Sequence, residues 1–305
     1  VSETPASGAW EPFAFPGIDV RCWRVTGYRR PGVPGVDPSY VFREELVREL
    51  AWAIWPHDNL HPVPSVLVGP KGCGKTSLIV QLAAYANVPV FRVNLNVGTT
   101  VRHLKGQRGV EDGRTMFVPG VATLAMETGG WLILDELSGA TPPVALSLFP
   151  ILEPDGAVIL EDEQPPRYVR RHPDFRVFAT DNTIGAEQED SRFLYGGTNP
   201  DMNDALMDRF GSCLQVDYLS PVAEHEAVTK IVPGINPFDL EGIIRVARAV
   251  RESKDIGVGF STRMVVEWAR RVAAGHMGAN GTRDGVVDSH ILKAAYPAFL
   301  SRMRS

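Results

Sequence analysis

The chain is 305 residues long, 44% hydrophobic and 22% charged, with a formal net charge of -5. That composition excludes a globally disordered chain, and the acidic balance gives no general attraction to DNA or to an anionic membrane. The length suits two compact units, or one larger domain with attachments.

Cys22, Cys73 and Cys213 form no CxxC pair, which predicts reduced thiols and a cytoplasmic setting. No apolar run reaches the length of a bilayer span and no basic-then-apolar leader occurs, so neither membrane contact nor secretion is predicted. The seven histidines are scattered and form no HExxH set, so they do not call for a metal site.

The N-terminal stretch is rich in Pro and Gly, as in RRPGVPGVDPSY, and reads as an irregular arm with a short strand at 20–25. A helix is predicted over 42–55, with Val47, Leu50, Ala51 and Ile54 on one side and Pro56 as its stop. From Val63 onward the pattern changes. Val66-Leu67-Val68, Val90-Phe91-Arg92-Val93, Trp131-Leu132-Ile133-Leu134, Arg176-Val177-Phe178-Ala179 and Leu214-Gln215-Val216 are five short strand-like runs. Helices predicted at 76–86, 120–127, 143–152 and 203–210 separate most of them. Strands joined by crossover helices imply an α/β fold, a largely parallel five-stranded sheet covered on both faces.

Two intervals carry extra material. Residues 98–116 are polar and punctuated by glycine, and 155–173 read as a hairpin with AVIL and RYVR arms. After Tyr218 the strand signal ends, and helices are predicted at 221–231, 237–251, 262–274 and 288–300. The third follows a Ser261 or Thr262 cap, with Val265, Val266, Ala269 and Val272 on its apolar face.

The segment GPKGCGKTS follows the first of the five strands and opens the next helix. Gly69, Gly74, Lys75 and Thr76 stand in the register GxxxxGK[ST]. Glycines let backbone amides curl around phosphate oxygens without Cβ clashes, and the helix start adds partial positive charge. The whole loop, Gly69, Pro70, Lys71, Gly72, Cys73, Gly74, Lys75, Thr76 and Ser77, is therefore the candidate phosphate grip. Lys75 would reach the β/γ-phosphates of ATP, and the Thr76 hydroxyl would ligate Mg²⁺.

In WLILDEL, two acids emerge where a buried strand ends. Asp135 suits the Mg²⁺ shell, and Glu136 suits a group that orients or deprotonates water. In FATDNT, Asn182 lies where its amide would position that water, with Thr180, Asp181 and Thr183 as competing candidates. Charge that develops during phosphoryl transfer needs further cations. Arg209 in ALMDRF could reach a neighbouring subunit, or simply pair with Asp208. Arg263 in GFSTRMVVEW could contact the γ-phosphate of its own subunit, or face solvent.

With GPKGCGKTS, WLILDEL, FATDNT, ALMDRF and STR in this order, the chain resembles the AAA+ ATPases, and more narrowly their MoxR-like branch. DPSYVF, VNLN, LYGGT and MDRF make it similar to the CobS-like cobaltochelatase group within that branch. The resemblance implies Walker A at Lys75 and Thr76, Walker B at Asp135 and Glu136, sensor 1 at Asn182, an arginine finger at Arg209 and sensor 2 at Arg263. It further implies a homo-oligomeric ring, hexameric in the family, that uses ATP and Mg²⁺ on a protein client with a separate von Willebrand factor A domain partner. The expected division is an N-terminal arm and helix (1–60), an ATP-binding core (61–218) and a helical lid (219–305).

By the same resemblance the two extra intervals are a helix-2 insert and a hairpin before sensor 1. In the insert, Arg102, His103, Lys105 and Arg108 could meet an acidic peptide or nucleic acid, or form a solvated loop. Arg167, Arg170 and Arg171 could be balanced by Glu161, Asp162 and Glu163. Tyr40 or Phe42 could lie near adenine. ATP-driven remodelling of a protein complex is the leading expectation, with assistance to metal insertion as its narrower form. The alternatives are a DNA-remodelling ATPase and a ring that binds nucleotide without hydrolysing it.

Overall fold

The computed structural model describes residues 9–15, 18–55, 61–182, 205–252 and 260–278. Its elements divide between two compact units. One holds the N-terminal hairpin with Phe42–Gly69 and Lys75–Gln215; the other holds Asp37–Val41, Pro70–Gly74 and the helices after Val216.

In the first unit, β1 (Trp10–Phe13) pairs antiparallel with β2 (Cys22–Val25), and α1 (Glu44–Ile54) follows. β3 (Ser65–Val68), α2 (Lys75–Ala86) and β4 (Val90–Asn94) open the alternating region. Next come α3 (Val101–Lys105), the antiparallel hairpin β5 (Gly106–Glu111) and β6 (Arg114–Pro119), and α4 (Val121–Thr128). β7 (Trp131–Asp135), α5 (Pro142–Leu152), the hairpin β8 (Ala157–Leu160) and β9 (Arg167–Arg170), β10 (Arg176–Asp181) and β11 (Ser212–Gln215) complete it.

The main sheet has five strands in the order β11-β3-β10-β7-β4, all pairs parallel. Every residue of β3, β7 and β10 is buried, as expected of central strands covered on both faces. Val66, Leu132, Leu134, Val177 and Ala179 pack with α4 and α5 residues such as Met126, Leu148 and Ile151 in one apolar core. Truncating a buried leucine there, such as Leu132→Ala, costs about 2–5 kcal/mol. Adjacent strands are in register at their C-terminal ends: Thr180 sits opposite Asp135, and Asp181 opposite Val68. That alignment gathers three strand ends, and the loops leaving them, along one edge.

The N-terminal arm is more ordered than the sequence pattern suggests. Besides the expected strand it supplies a partner, β1, and the hairpin is tied to the core. Trp10 Nε1 donates to Asp174 Oδ1 at 2.7 Å, and the Asn87 side chain donates to Val25 O at 3.0 Å. Residues 98–116, read as a polar insert, contain α3 and most of the β5–β6 hairpin. The tip residues Asp112 and Gly113 have φ of 51° and 74°, the left-handed geometry of a tight hairpin turn.

The second unit contains α6 (Pro221–Ile231), α7 (Pro237–Glu252) and α8 (Thr262–Gly278). Ser220 caps α6, accepting from Ala223 N at 3.3 Å with Pro221 in the first turn. Val228, Leu240, Ile243, Val265 and Ala269 form its core around Phe260 and Trp268, whose ring centroids lie 5.9 Å apart. Ser261 is the cap of α8, accepting from Met264 N at 3.3 Å, while Thr262 bonds elsewhere. The predicted helix at 288–300 lies outside the described residues. No helix among the described residues is long and apolar enough to cross a membrane.

Candidate nucleotide site

The sheet edge brings together residues far apart in the chain. The ammonium of Lys75, buried at the start of α2, donates to Gly69 O at 2.8 Å and to Asn182 Oδ1 at 2.9 Å. Thr76 Oγ1 donates to Asp135 Oδ1 at 2.7 Å, and Thr180 Oγ1 donates to the same oxygen at 2.7 Å. The other carboxylate oxygen of Asp135 accepts from the guanidinium of Arg92 on β4. Asp135 is only 4% exposed, so this carboxylate is held by three side chains from three different elements.

Glu136 follows with φ 56° and ψ 59°, a left-handed conformation that turns the chain sharply out of β7. Its carbonyl accepts from Gly139 N at 2.8 Å, closing the short 3₁₀ turn Leu137–Gly139. That turn is clamped by Asp181. Ser138 N donates to Asp181 Oδ2 at 2.8 Å and Ser138 Oγ to Oδ1 at 3.0 Å. Asp181 Oδ1 also accepts from Asn182 N at 2.6 Å. Among the polar residues of FATDNT, then, Thr180 braces Asp135 and Asp181 braces the turn after Glu136. Asn182 is the one whose side chain meets Lys75; Thr183 lies outside the described residues.

The middle of the loop, Pro70–Gly74, belongs to the second unit. Cys73 N donates to Pro70 O at 3.4 Å, and Gly72 and Gly74 have φ of 73° and 99°, values that favour glycine. Lys71 and Ser77 are exposed and Cys73 is buried. Arg263, in the first turn of α8, is exposed and makes no ion pair among the described residues.

Arg209 lies just past the helical residues 205–207 and before β11. Its guanidinium lies 3.7 Å from the Phe149 ring centroid, donates from Nη1 to Ala205 O at 2.6 Å and has Nε 3.3 Å from Glu153 Oε1. The carboxylate close to it is thus Glu153.

Other expected contacts resolve similarly. Arg167 pairs with Glu163 at 2.8 Å and also with Glu127. Arg108 donates to Asp162 O at 2.6 Å, and Arg171 to Glu153 O at 2.7 Å. The Phe42 ring packs with Phe15 and Tyr85 at centroid distances of 4.8 and 5.6 Å. Arg92 and Ser138 are the contributors that sequence reading did not single out. The cue for Arg92 was a charge set within an otherwise apolar strand.

A parallel sheet in this order, with a glycine-rich loop between β3 and α2 and paired acids at the end of β7, defines a P-loop AAA+ ATPase core. Residues 64–210 match the family model described as AAA domain (dynein-related subfamily). The chain is 33% identical over 266 residues to the aerobic cobaltochelatase subunit CobS of Sinorhizobium sp, covering 83% of this chain and 77% of that protein. It is 30% identical over 215 residues to the gas vesicle ATPase GvpN of Haloferax mediterranei, covering 64% of this chain and 58% of that one. Among solved structures, a RuvB mutant from Thermotoga maritima aligns with a TM-score of 0.56 at 16% identity, covering 85% of this chain and 71% of that one. That last likeness is one of fold. The chain belongs to the AAA+ ATPases of the MoxR/CobS branch. Its P-loop fold implies the ATP and Mg²⁺ binding typical of that class.

Proposed function

We propose that this chain hydrolyses MgATP at the edge formed by β3, β10 and β7, and uses the cycle to remodel a protein complex. The observation that carries this reading is the pairing of Lys75 with Asn182 beside that of Thr76 with Asp135. In this reading the loop 69–77 wraps the phosphates and Lys75 takes the β/γ oxygens. The Thr76 hydroxyl and the Asp135 carboxylate hold Mg²⁺, a hard cation suited to their oxygens. Bound there, Mg²⁺ would neutralise charge on the phosphate oxygens. Glu136 orients water or takes its proton, and Asn182 positions the same water. Arg209 acts on the site of the next subunit, and Arg263 contacts the γ-phosphate of its own.

Such a division of labour requires a homo-oligomer, a ring of six by family likeness, with a von Willebrand factor A domain protein as the expected partner. The 33% identity to a cobaltochelatase subunit supports a narrower form, assistance to metal insertion into a cofactor, with the chelation chemistry on another chain.

Mixing Glu136→Gln with Arg209→Ala subunits tests the shared site. Each variant alone should be nearly inactive. Random mixing restores about a quarter of the interfaces, because a C-n ring pairs every site with its neighbour, so turnover should reappear. Equal inactivity of mixture and variants would place Arg209 outside catalysis in trans. Phosphate release stimulated by a protein complex but not by DNA supports remodelling of protein. Stimulation by DNA that is lost on neutralising Arg102, Lys105 and Arg108 would move the assignment to DNA remodelling.

A further inference from the structure

Within the second unit, a buried ion pair connects the phosphate loop to the start of α8. Glu224 is fully buried on α6 and accepts from Arg251 Nη1 at 2.9 Å and Nη2 at 2.7 Å, a two-pronged pair. Thr262 Oγ1 adds a third bond to Glu224, at 2.8 Å. Arg251 Nε donates to Phe260 O at 2.6 Å, so one guanidinium from α7 fixes both the residue before the α8 cap and, through Glu224, the residue after it. The same guanidinium lies over the ring of Tyr218, whose centroid is 4.0 Å from Arg251 Cζ. The Tyr218 hydroxyl donates to Lys71 O, in the phosphate loop, at 3.0 Å. Burial pushes the Tyr218 pKa up, which keeps that hydroxyl a donor.

A second contact runs in parallel. A Cβ on Gly72 would stand 2.4 Å from Ser261 Cβ, so the bare backbone of Gly72 lets the α8 cap close against the loop. Lys71 is therefore linked through side chains to Phe260 and Thr262, and Gly72 approaches Ser261 directly, so that between them the two loop residues reach all three residues that precede Arg263.

We infer that Tyr218, Arg251 and Glu224 are positioning residues that tie the phosphate loop to Arg263, so that the loop's conformation sets where that arginine points. The inference rests on the reading of Arg263 as a γ-phosphate contact. Pairing Arg251 with a fully buried carboxylate gives the connection stiffness, since breaking either side would strand a charge in the interior. The Tyr218 hydroxyl bond to Lys71 can be deleted with both partners of the ion pair kept.

The test compares wild type, Tyr218→Phe, Arg263→Ala and the double variant as full chains. It measures dissociation constants for ADP and for a non-hydrolysable ATP analogue, with melting temperature without nucleotide as the control. Tyr218→Phe keeps the ring over Arg251, and should reduce the preference for the ATP analogue over ADP roughly two- to tenfold, the size of one hydrogen bond. The nucleotide-free melting temperature should stay near that of wild type. In the Arg263→Ala background the same change should have no further effect. An unchanged preference in Tyr218→Phe, with a reduced one in Arg263→Ala, overturns the coupling alone. Equal losses from Tyr218→Phe in both backgrounds also overturn it, because Tyr218 would then act on the loop independently. If Arg263→Ala matches wild type, the reading of Arg263 falls and the coupling falls with it.

Discussion

The ammonium of Lys75 donates 2.9 Å to the amide oxygen of Asn182, a residue 107 positions further along the chain. The bond joins the first turn of α2 to the end of β10, and only the parallel sheet between them makes it possible. It places a buried cation and a neutral amide side by side at the sheet edge, a combination suited to gripping an anion while orienting a neutral water.

Asn182→Ala should separate those two tasks. Removing a positioned donor beside a reacting phosphate lowers turnover by on the order of 10²-fold. Affinity for MgATP, which the proposed reading assigns chiefly to the loop and Lys75, should change far less. Steady-state phosphate release and direct nucleotide binding, measured on the same preparation, check the split. Parallel losses in both would make Asn182 a support for Lys75 rather than a group acting on water.

If Asp135 holds Mg²⁺ as proposed, Arg92 would compete with the ion for its carboxylate. The guanidinium pairs with one carboxylate oxygen, yet the Arg92 side chain is 58% exposed. Asp135 is buried but the guanidinium is open to solvent, which screens the pair and leaves it worth on the order of 1 kcal/mol. Arg92→Ala should therefore lower the Mg²⁺ concentration for half-maximal turnover, by up to about fivefold at that energy. A magnesium titration of phosphate release reads this directly, and a higher requirement would mean that Arg92 orients the carboxylate instead.

Two of the three thiols, Cys213 and Cys22, should react very differently. Cys213 is exposed, whereas Cys22 is fully buried on β2, and burial pushes its pKa from 9.0 up to about 12. Thiolate is the reactive form, so the native protein at pH 8 should label quickly at Cys213 and at Cys22 only on unfolding. The raised value also has a sign in stability. Folding holds the proton on Cys22, so the associated stability is complete below about pH 9 and is lost as pH rises towards 12. Melting curves of Cys22→Ala should accordingly fall less steeply over that alkaline window than those of wild type.

Much of the architecture was legible because the central strands are apolar over their full length. Runs such as WLILD and SVLV announce burial on both faces, and the expected bounds of α2, α4 and α5 hold to within a residue. The helix expected at 203–210, by contrast, is helical only at 205–207 among the described residues, and α8 runs on to Gly278. The hairpin β5–β6 was not legible from periodicity. Val110 and Val118 are exposed on it, so no inward face imposes an alternation. Its usable cue was the Asp112-Gly113 turn, which the polar surroundings concealed. At the site, the loop and both acids declare themselves by local pattern. The clamp of Ser138 on Asp181, and the pairing of Arg92 with Asp135, depend on strand order and could be seen only once the sheet was assembled.

The most direct test of the central claim is phosphate release from saturating MgATP by Glu136→Gln beside wild type, with retained nucleotide quantified in both. Wild type should turn over. The variant, which keeps the loop, Lys75, Thr76 and Asp135 but lacks the carboxylate, should hold MgATP at near-normal affinity and lose turnover by about 10²-fold or more. Undiminished phosphate release by the variant would contradict the role given to Glu136, and failure of wild type to bind or cleave MgATP, with or without its protein partners, would contradict the account as a whole.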